Sequence, residues 1–323
     1  MPQHVLVTMK IPDCGVEVLR RAGILVDASE RAEPMPRDEL LRRVAACDGL
    51  VCMLADRIDP ELLDAAPRLK GIGNFAVGID NIDLAAATAR GIPVTNTPGV
   101  LTDATAELAW ALILAAARRI VEGDRLVRRG AFTGWAPMLL RGVQLTGATL
   151  GIVGAGRIGT ATGLRAAAFG MHVVYFDRHL SEPLDERGAL RVELDELLRA
   201  ADVVSIHLPL TDETRHLIGA REIALMKATA ILVNTGRGAI VDEAALVAAL
   251  RDGRIAGAGL DVYEHEPALT PGLAELENVV LLPHLGSATV ATRDRMATMA
   301  AESLVAILDG RRPENLVNPD VFD

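Results

Sequence analysis

Aromatic residues are scarce, at 3% of the chain. Ala, Leu and Val must therefore fill the interior, which suits helices packed on a sheet better than an all-β sandwich. Cysteine is nearly absent. Cys14, Cys47 and Cys52 all fall in the first sixth of the chain. An odd count without metal-ligand spacing argues against a disulfide framework or a metal site, and for a reducing, cytoplasmic compartment. Basic residues are in the minority, 33 against 43 acidic ones, for a formal charge of −10. That balance argues against a nucleic-acid or anionic-membrane partner, while leaving room for a local basic pocket. The opening residues show no basic-then-apolar signal pattern. The longest strongly apolar run, Leu108 to Ala117, has ten residues, about half of a membrane span. It reads as a buried helix.

What is present is an alternation. The 323 residues are half apolar and 24% charged, enough for two globular domains. In the first third, 4–9, 24–26, 49–54, 69–75 and 92–96 read as strands, with helical stretches near 13–22, 36–46, 60–66 and 82–90. Strand–helix alternation of this kind predicts βαβ units and a parallel sheet. A helix-rich stretch, 102–129, comes next, and its 104–117 part is apolar nearly all round, so both faces should be buried. A second series of strands reads at 149–154, 172–177, 202–209, 230–235, 256–263 and 279–283. A last helix spans 287–309, and 311–323 reads as coil. The expectation is an α/β protein of two doubly wound parallel-sheet domains. One, Rossmann-like, takes 99–286. The other, flavodoxin-like, takes 1–98 and 287–323, and a hinged cleft is expected between them.

Gly154-Ala155-Gly156-Arg157-Ile158-Gly159 fits G-x-G-x-x-G. The pattern alone is weak. Here it comes after a strand, opens a helix, and precedes HVVYFD, whose Asp177 lies 21 residues past Gly156. That combination is the dinucleotide fingerprint. Gly154 serves the tight turn, Gly156 the approach of pyrophosphate, and Gly159 the packing of helix on sheet. Arg157 and Ile158 occupy the helix's first turn, whose free N–H groups favour phosphate. Asp177 suits the adenosine ribose hydroxyls and favours NAD(H). Arg178 beside it keeps NADP(H) as the alternative.

Three polar residues come after three later strands: Arg237 after AILVNTG, Glu266 after AGLDVYEH, and His284 after VVLLP. Ligands of open α/β sheets bind outside the carboxyl ends of strands. Singly, each has a plain structural reading: a capping arginine, a solvated loop acid, a hydrogen-bonded core histidine. Together they match the needs of hydride transfer to a keto acid. A guanidinium holds the carboxylate, an imidazole delivers a proton, and a carboxylate favours the imidazolium.

The segments VGAGRIG (153–159), HLPLTDETRHLIG (207–219), NTGRGAIVDEAAL (234–246), GAGLDVYEHEP (257–267) and PHLGSAT (283–289) together resemble the D-isomer-specific 2-hydroxyacid dehydrogenases. The resemblance spans nearly the whole chain. VCMLADRID (51–59), the stretch 74–119 and FTGWAPM (132–138) are similar to the glyoxylate/hydroxypyruvate reductase branch. It implies that Arg237, Glu266 and His284 form the catalytic triad. The backbone at Val77-Gly78 would bind the substrate carboxylate, together with Arg237 and His284, and Leu54 would line the substrate pocket. Thr105 would approach the nicotinamide. Pro209, Thr214, Thr235, Asp261 and Gly286 would line the cofactor groove. The resemblance also implies a homodimer through the nucleotide domain, with Trp135 reaching towards the partner.

The reaction expected is reduction of glyoxylate or hydroxypyruvate to the 2-hydroxy acid. A methylene discriminates by only about 1–3 kcal/mol, so the sequence does not choose between them. Glu266 argues against formate dehydrogenase, which has Gln there. Phosphite dehydrogenase shares a similar triad and stays open, as does phosphoglycerate dehydrogenase, which would want more basic residues. A dinucleotide-sensing corepressor is the alternative from another class.

Overall fold

The computed structural model describes residues 2–322. Two compact units emerge. One comprises the chain up to Leu101 together with the part from Ser287 onward; the other is Thr102–Gly286.

The first unit alternates as expected: β1 (His4–Val7), α1 (Asp13–Arg21), β2 (Leu25–Ala28), α2 (Arg37–Val44), β3 (Gly49–Cys52), α3 (Pro60–Ala65), β4 (Gly71–Asn74), α4 (Leu84–Ala89) and β5 (Val94–Thr95). All pairings are parallel, in the order β2-β1-β3-β4-β5. This is the flavodoxin-like order. The central strands are near-continuous apolar runs because both faces are covered. Leu6 joins a cluster with Leu40, Leu50, Leu62 and Ile72. Val5 and Val7 point the other way, to Leu19, Val51, Met296 and Leu304.

The second unit opens with two helices, α5 (Thr102–Ala117) and α6 (Ile120–Arg128). The helix-rich stretch expected over 102–129 is two helices, separated at Arg119, whose φ of 51° lies in the left-handed region. Nor is α5 covered all round, since Glu107 and Ala111 are exposed. The doubly wound part comprises β6 (Thr149–Val153), α7 (Arg157–Arg165), β7 (His172–Phe176), α8 (Glu182–Asp185), β8 (Leu190–Arg191), α9 (Leu194–Ala200), β9 (Val203–Ile206), α10 (Ala220–Leu225), β10 (Ile231–Asn234), α11 (Glu243–Arg251), β11 (Gly257–Leu260) and β12 (Val279–Leu281). Its parallel sheet runs β12-β11-β10-β9-β6-β7-β8. Strand order reverses between β6 and β9, the place where such sheets bind nucleotides.

The strands of this sheet stop sooner than their β-branched residues suggest. β9 ends at Ile206, β10 at Asn234, β11 at Leu260 and β12 at Leu281. Pro209, Gly236 and Pro283 lie just beyond three of these ends and do not continue a ladder. The residues past each strand are thus released to the carboxyl rim.

The last helix, α12 (Val290–Leu308), belongs to the first unit and packs on α1, β3 and β4. The segment after it is not loose coil, which corrects the sequence reading. Val317 N–H donates to the Val94 carbonyl at 2.8 Å, and Val94 N–H donates to Asn318 Oδ1 at 2.8 Å. Asn318 Nδ2 donates in turn to the Ile92 carbonyl at 2.9 Å. The tail therefore covers the free edge of β5. Among the described residues, no helix is long and apolar enough to cross a membrane.

Candidate active site

The loop between β6 and α7 is built for close approach. Gly154 has φ +95°, and a Cβ there would lie 2.9 Å from the Leu208 side chain. A Cβ on Gly159 would fall 1.9 Å from the Gly154 carbonyl oxygen, so only glycine lets α7 start against the strand. Around Gly156 the space is open, with nothing within 4 Å of a Cβ position. No side chain caps α7, so its first-turn N–H groups, those of Arg157 and Ile158 included, are left for an anion.

Asp177 comes directly after β7 with its carboxylate fixed. Oδ2 accepts from Ala155 N–H at 2.8 Å and Oδ1 from His179 N–H at 2.9 Å. Arg178 is strongly exposed and lies 3.7 Å from Glu213. Arg191, which the sequence reading did not single out, donates through Nε to the Asp177 carbonyl at 2.9 Å and through its terminal nitrogen to the Arg178 carbonyl at 3.1 Å.

Beyond β9, Thr214 Oγ1 donates to the Pro209 carbonyl at 2.7 Å and closes the 209–214 turn. His207 stands between Ser205 Oγ, 2.9 Å from Nε2, and Thr235 Oγ1, 3.3 Å from Nδ1. Burial pushes the His207 imidazole down to about 3. It is held neutral, a role its position in HLPLT did not announce.

Arg237, three residues past the end of β10, is extended, its guanidinium donating to the Gly236 carbonyl at 2.9 Å. Asn234, the last residue of β10, was not a sequence candidate, yet it builds this turn. Its Oδ1 accepts from Gly236 N–H at 3.0 Å and its Nδ2 donates to the Arg237 carbonyl at 2.9 Å. Gly238 seats the turn on its neighbour. A Cβ there would lie 1.8 Å from the Tyr263 carbonyl carbon.

That neighbouring segment carries Glu266. Oε1 accepts from Tyr263 N–H at 3.0 Å, and Oε2 meets His284 Nδ1 at 3.0 Å. Burial would raise the Glu266 carboxyl, but the His284 contact, the Tyr263 amide and the charge of Arg237 outweigh it and hold it below the usual carboxylate range. Tyr263 also ties the two segments together, its hydroxyl donating to the Leu282 carbonyl at 2.8 Å.

His284 has φ 55°, in a region that non-glycine residues seldom occupy. Its turn is held by Asp261, which is almost fully buried. The Asp261 carbonyl accepts from His284 N–H at 3.0 Å, Oδ1 from Leu285 N–H at 2.6 Å and Oδ2 from Gly286 N–H at 2.8 Å. Burial outweighs these bonds and raises the Asp261 carboxyl. Thr105 Oγ1 donates to the Gly286 carbonyl at 3.1 Å. Thr105, Asp261 and Gly286 thus form one brace beneath the histidine.

The first unit has its own braced turns. Leu54 comes after β3 in a turn held by Asp56, whose Oδ2 accepts from Met53 N–H at 2.8 Å and Thr8 Oγ1 at 2.5 Å. After β4, Asn96 Nδ2 donates to the Val77 carbonyl at 2.8 Å, and Asn74 Nδ2 to the Gly78 carbonyl at 2.7 Å. With their carbonyls taken, the Val77 and Gly78 amides have no acceptor among the described residues.

Residues 110–286 match the family model described as D-isomer specific 2-hydroxyacid dehydrogenase, NAD binding domain. A glyoxylate reductase of Aeropyrum pernix is 56% identical over 303 residues, covering 92% of this chain and 90% of that protein. A crystal structure of a Thermus thermophilus protein, 50% identical, superposes with a TM-score of 0.92 over 98% of this chain and 100% of that one. The NADPH-dependent glyoxylate/hydroxypyruvate reductase of Sinorhizobium meliloti, solved with NADP and malonate, is 35% identical with a TM-score of 0.86, covering 99% and 98%. A fingerprint at the strand-order reversal, a braced Arg–Glu–His rim and full-length relatives of this kind lead to one assignment: the chain belongs to the D-isomer-specific 2-hydroxyacid dehydrogenases.

Proposed function

We propose that the protein reduces glyoxylate, and hydroxypyruvate alongside it, to the corresponding 2-hydroxy acid with NADH. The observation that carries this reading is the His284–Glu266 pair at 3.0 Å, set beside the Arg237 turn on the carboxyl rim of the nucleotide sheet.

The open space at Gly156, the uncapped start of α7 and the fixed Asp177 carboxylate suit a dinucleotide. NADH bound there supplies the hydride. Arg237 holds the carboxylate of the keto acid and polarises its carbonyl. Glu266 engages Nδ1 of His284, which leaves Nε2–H to face the substrate oxygen. As that oxygen gains negative charge, His284 gives it the Nε2 proton and Glu266 stabilises the ring through the transfer. The proton is later restored from solvent. Leu54 and the free amides of Val77 and Gly78 are assigned to the substrate, and Pro209, Thr214 and Thr235 to the cofactor groove. Asp177 supports NADH over NADPH, because a 2′-phosphate there would meet a carboxylate.

We infer a homodimer as well. Phe132, Trp135 and Met138 are exposed on one segment, Trp135 at 85%. Three large apolar side chains so close together are suited to a partner subunit of the same kind. Equilibrium sedimentation checks this: Trp135→Ser should weaken the dimer, and a monomeric parent would remove the inference. Three unpaired cysteines, two of them buried, support a reducing compartment such as the cytoplasm.

The test of the reaction is a panel of glyoxylate, hydroxypyruvate and pyruvate, each with NADH and NADPH, and of phosphite and 3-phosphoglycerate, each with NAD+ and NADP+, monitored by loss or gain of reduced-cofactor absorbance. Turnover should be highest with glyoxylate or hydroxypyruvate and NADH. Tight NADH binding without turnover of any acid would instead indicate a dinucleotide sensor.

A further inference from the structure

Glu243 is a buried carboxylate outside the machinery just described. It is 2% exposed, at the first position of α11. It is not needed as the helix cap, because Asp242 beside it takes that role by accepting from Ala245 N–H at 2.9 Å. Its two oxygens go elsewhere. Oε1 accepts from Glu264 N–H at 3.2 Å and Oε2 from Thr270 N–H at 3.2 Å. Those amides stand at the two ends of the loop that carries Glu266. A reciprocal bond runs from Glu243 N–H to Glu264 Oε2 at 3.3 Å. The other oxygen of Glu264 meets His216 Nε2 at 2.6 Å.

A carboxylate is placed at such a depth only where donors replace water. Here the donors are backbone groups of one loop, and the start of α11 adds favourable potential. Glu243 therefore pins both ends of a short loop, and Glu266 projects from between the pins. We propose that Glu243 is a positioning residue that holds the Glu266 loop at the distance where Glu266 engages His284 Nδ1. The proposal rests on the reading of Glu266 and His284 given above, and adds a residue that acts through them.

Replacing Glu243 by Gln leaves one loop amide facing an NH₂ group. The loop end is then released and Glu266 draws away from the imidazole. Loss of Glu266 contact disfavours the protonated ring needed for proton delivery. The charged and titratable groups acting on this pair are Arg237, Asp261 and Tyr263, while Glu264 of the same loop faces His216 and His265. None of them is removed by the substitution.

The experiment measures kcat, KM for glyoxylate and the pH profile of kcat/KM for the full-length enzyme, Glu243→Gln, Glu266→Gln and the double variant. NADH binding by fluorescence accompanies each. Glu266→Gln tests the underlying reading, and its alkaline limb should move to lower pH. Glu243→Gln should move the limb the same way and lower kcat by roughly tenfold, with NADH affinity and KM nearly unchanged. In the Glu266→Gln background, Glu243→Gln should add little, since it acts through the same group. Glu243→Asp keeps both oxygens but draws them back, and should show the same shift at smaller amplitude. It carries the test if the Gln variant does not fold. An unmoved limb in the Glu243 variants, or losses that multiply in the double variant, would overturn the proposal while leaving the Glu266 reading intact. An unmoved limb in Glu266→Gln would overturn that reading itself.

Discussion

The backbone amide of His284 donates to the carbonyl of Asp261 at 3.0 Å, and the Asp261 carboxylate accepts the next two amides, those of Leu285 and Gly286. Three consecutive N–H groups thus converge on one buried residue. The turn they define carries the histidine at φ 55°, a conformation that holds only while its surroundings enforce it.

Asp261→Asn tests that enforcement. An amide side chain offers one acceptor where two are needed and turns its NH₂ towards a backbone donor. The expected cost is about 1–3 kcal/mol in stability, with kcat reduced at least tenfold, on the order of effects seen when an orienting partner is lost. Thermal denaturation and steady-state kinetics on the same preparation check both. A variant with wild-type kcat would mean that the turn holds His284 without Asp261.

His284→Asn removes the proton donor and keeps a polar side chain of similar reach. Turnover should fall by about 10² to 10⁴, while NADH affinity stays near that of the parent. Stopped-flow and equilibrium binding separate the two effects. Retained turnover would take His284 out of the chemistry.

Asp177→Ser should loosen the hold on the ribose hydroxyls and lift the repulsion against a 2′-phosphate. The ratio of kcat/KM for NADH to that for NADPH should fall by at least an order of magnitude, since about 1.4 kcal/mol is tenfold. Arg178 and Arg191 stand ready beside that site. An unchanged ratio would show that the preference is set elsewhere.

His207 predicts a component of acid sensitivity. Its folded value, about 3, lies below the ordinary 6.5. Between those values the unfolded chain binds a proton that the folded chain does not, so stability is full above pH 6.5 and declines as pH falls towards about 3. Urea midpoints measured across that window should decline less steeply for His207→Asn than for the parent. Equal slopes in the two proteins would show that the imidazole titrates normally in the fold.

The parts of the site that were legible in the sequence depend on short-range chemistry. Gly154, Gly156 and Gly159 lie within six consecutive residues, and the strand before and helix after them are visible as local patterns. Arg237, Glu266 and His284 were accessible because each comes after an apolar strand, so topology alone puts it on the rim. Asn234, Glu243 and Tyr263 were not. Each looks like an ordinary residue of its own element, and its importance lies in a partner 2 to 27 positions away. The break at Arg119 was also hidden, because the residues around it are good helix formers.

Composition and periodicity by themselves determined that this chain makes parallel α/β units with a dinucleotide turn, because alternation and glycine spacing act over a few residues. They also determined which side chains are available for the chemistry. Only the tertiary structure decided how those side chains are held. It chose Asp261 over water as the partner of the His284 turn, set Glu266 against Nδ1, and closed the tail over β5. Those outcomes depend on which distant backbone groups are brought within hydrogen-bonding distance after burial, and one-dimensional order carries no measure of that distance.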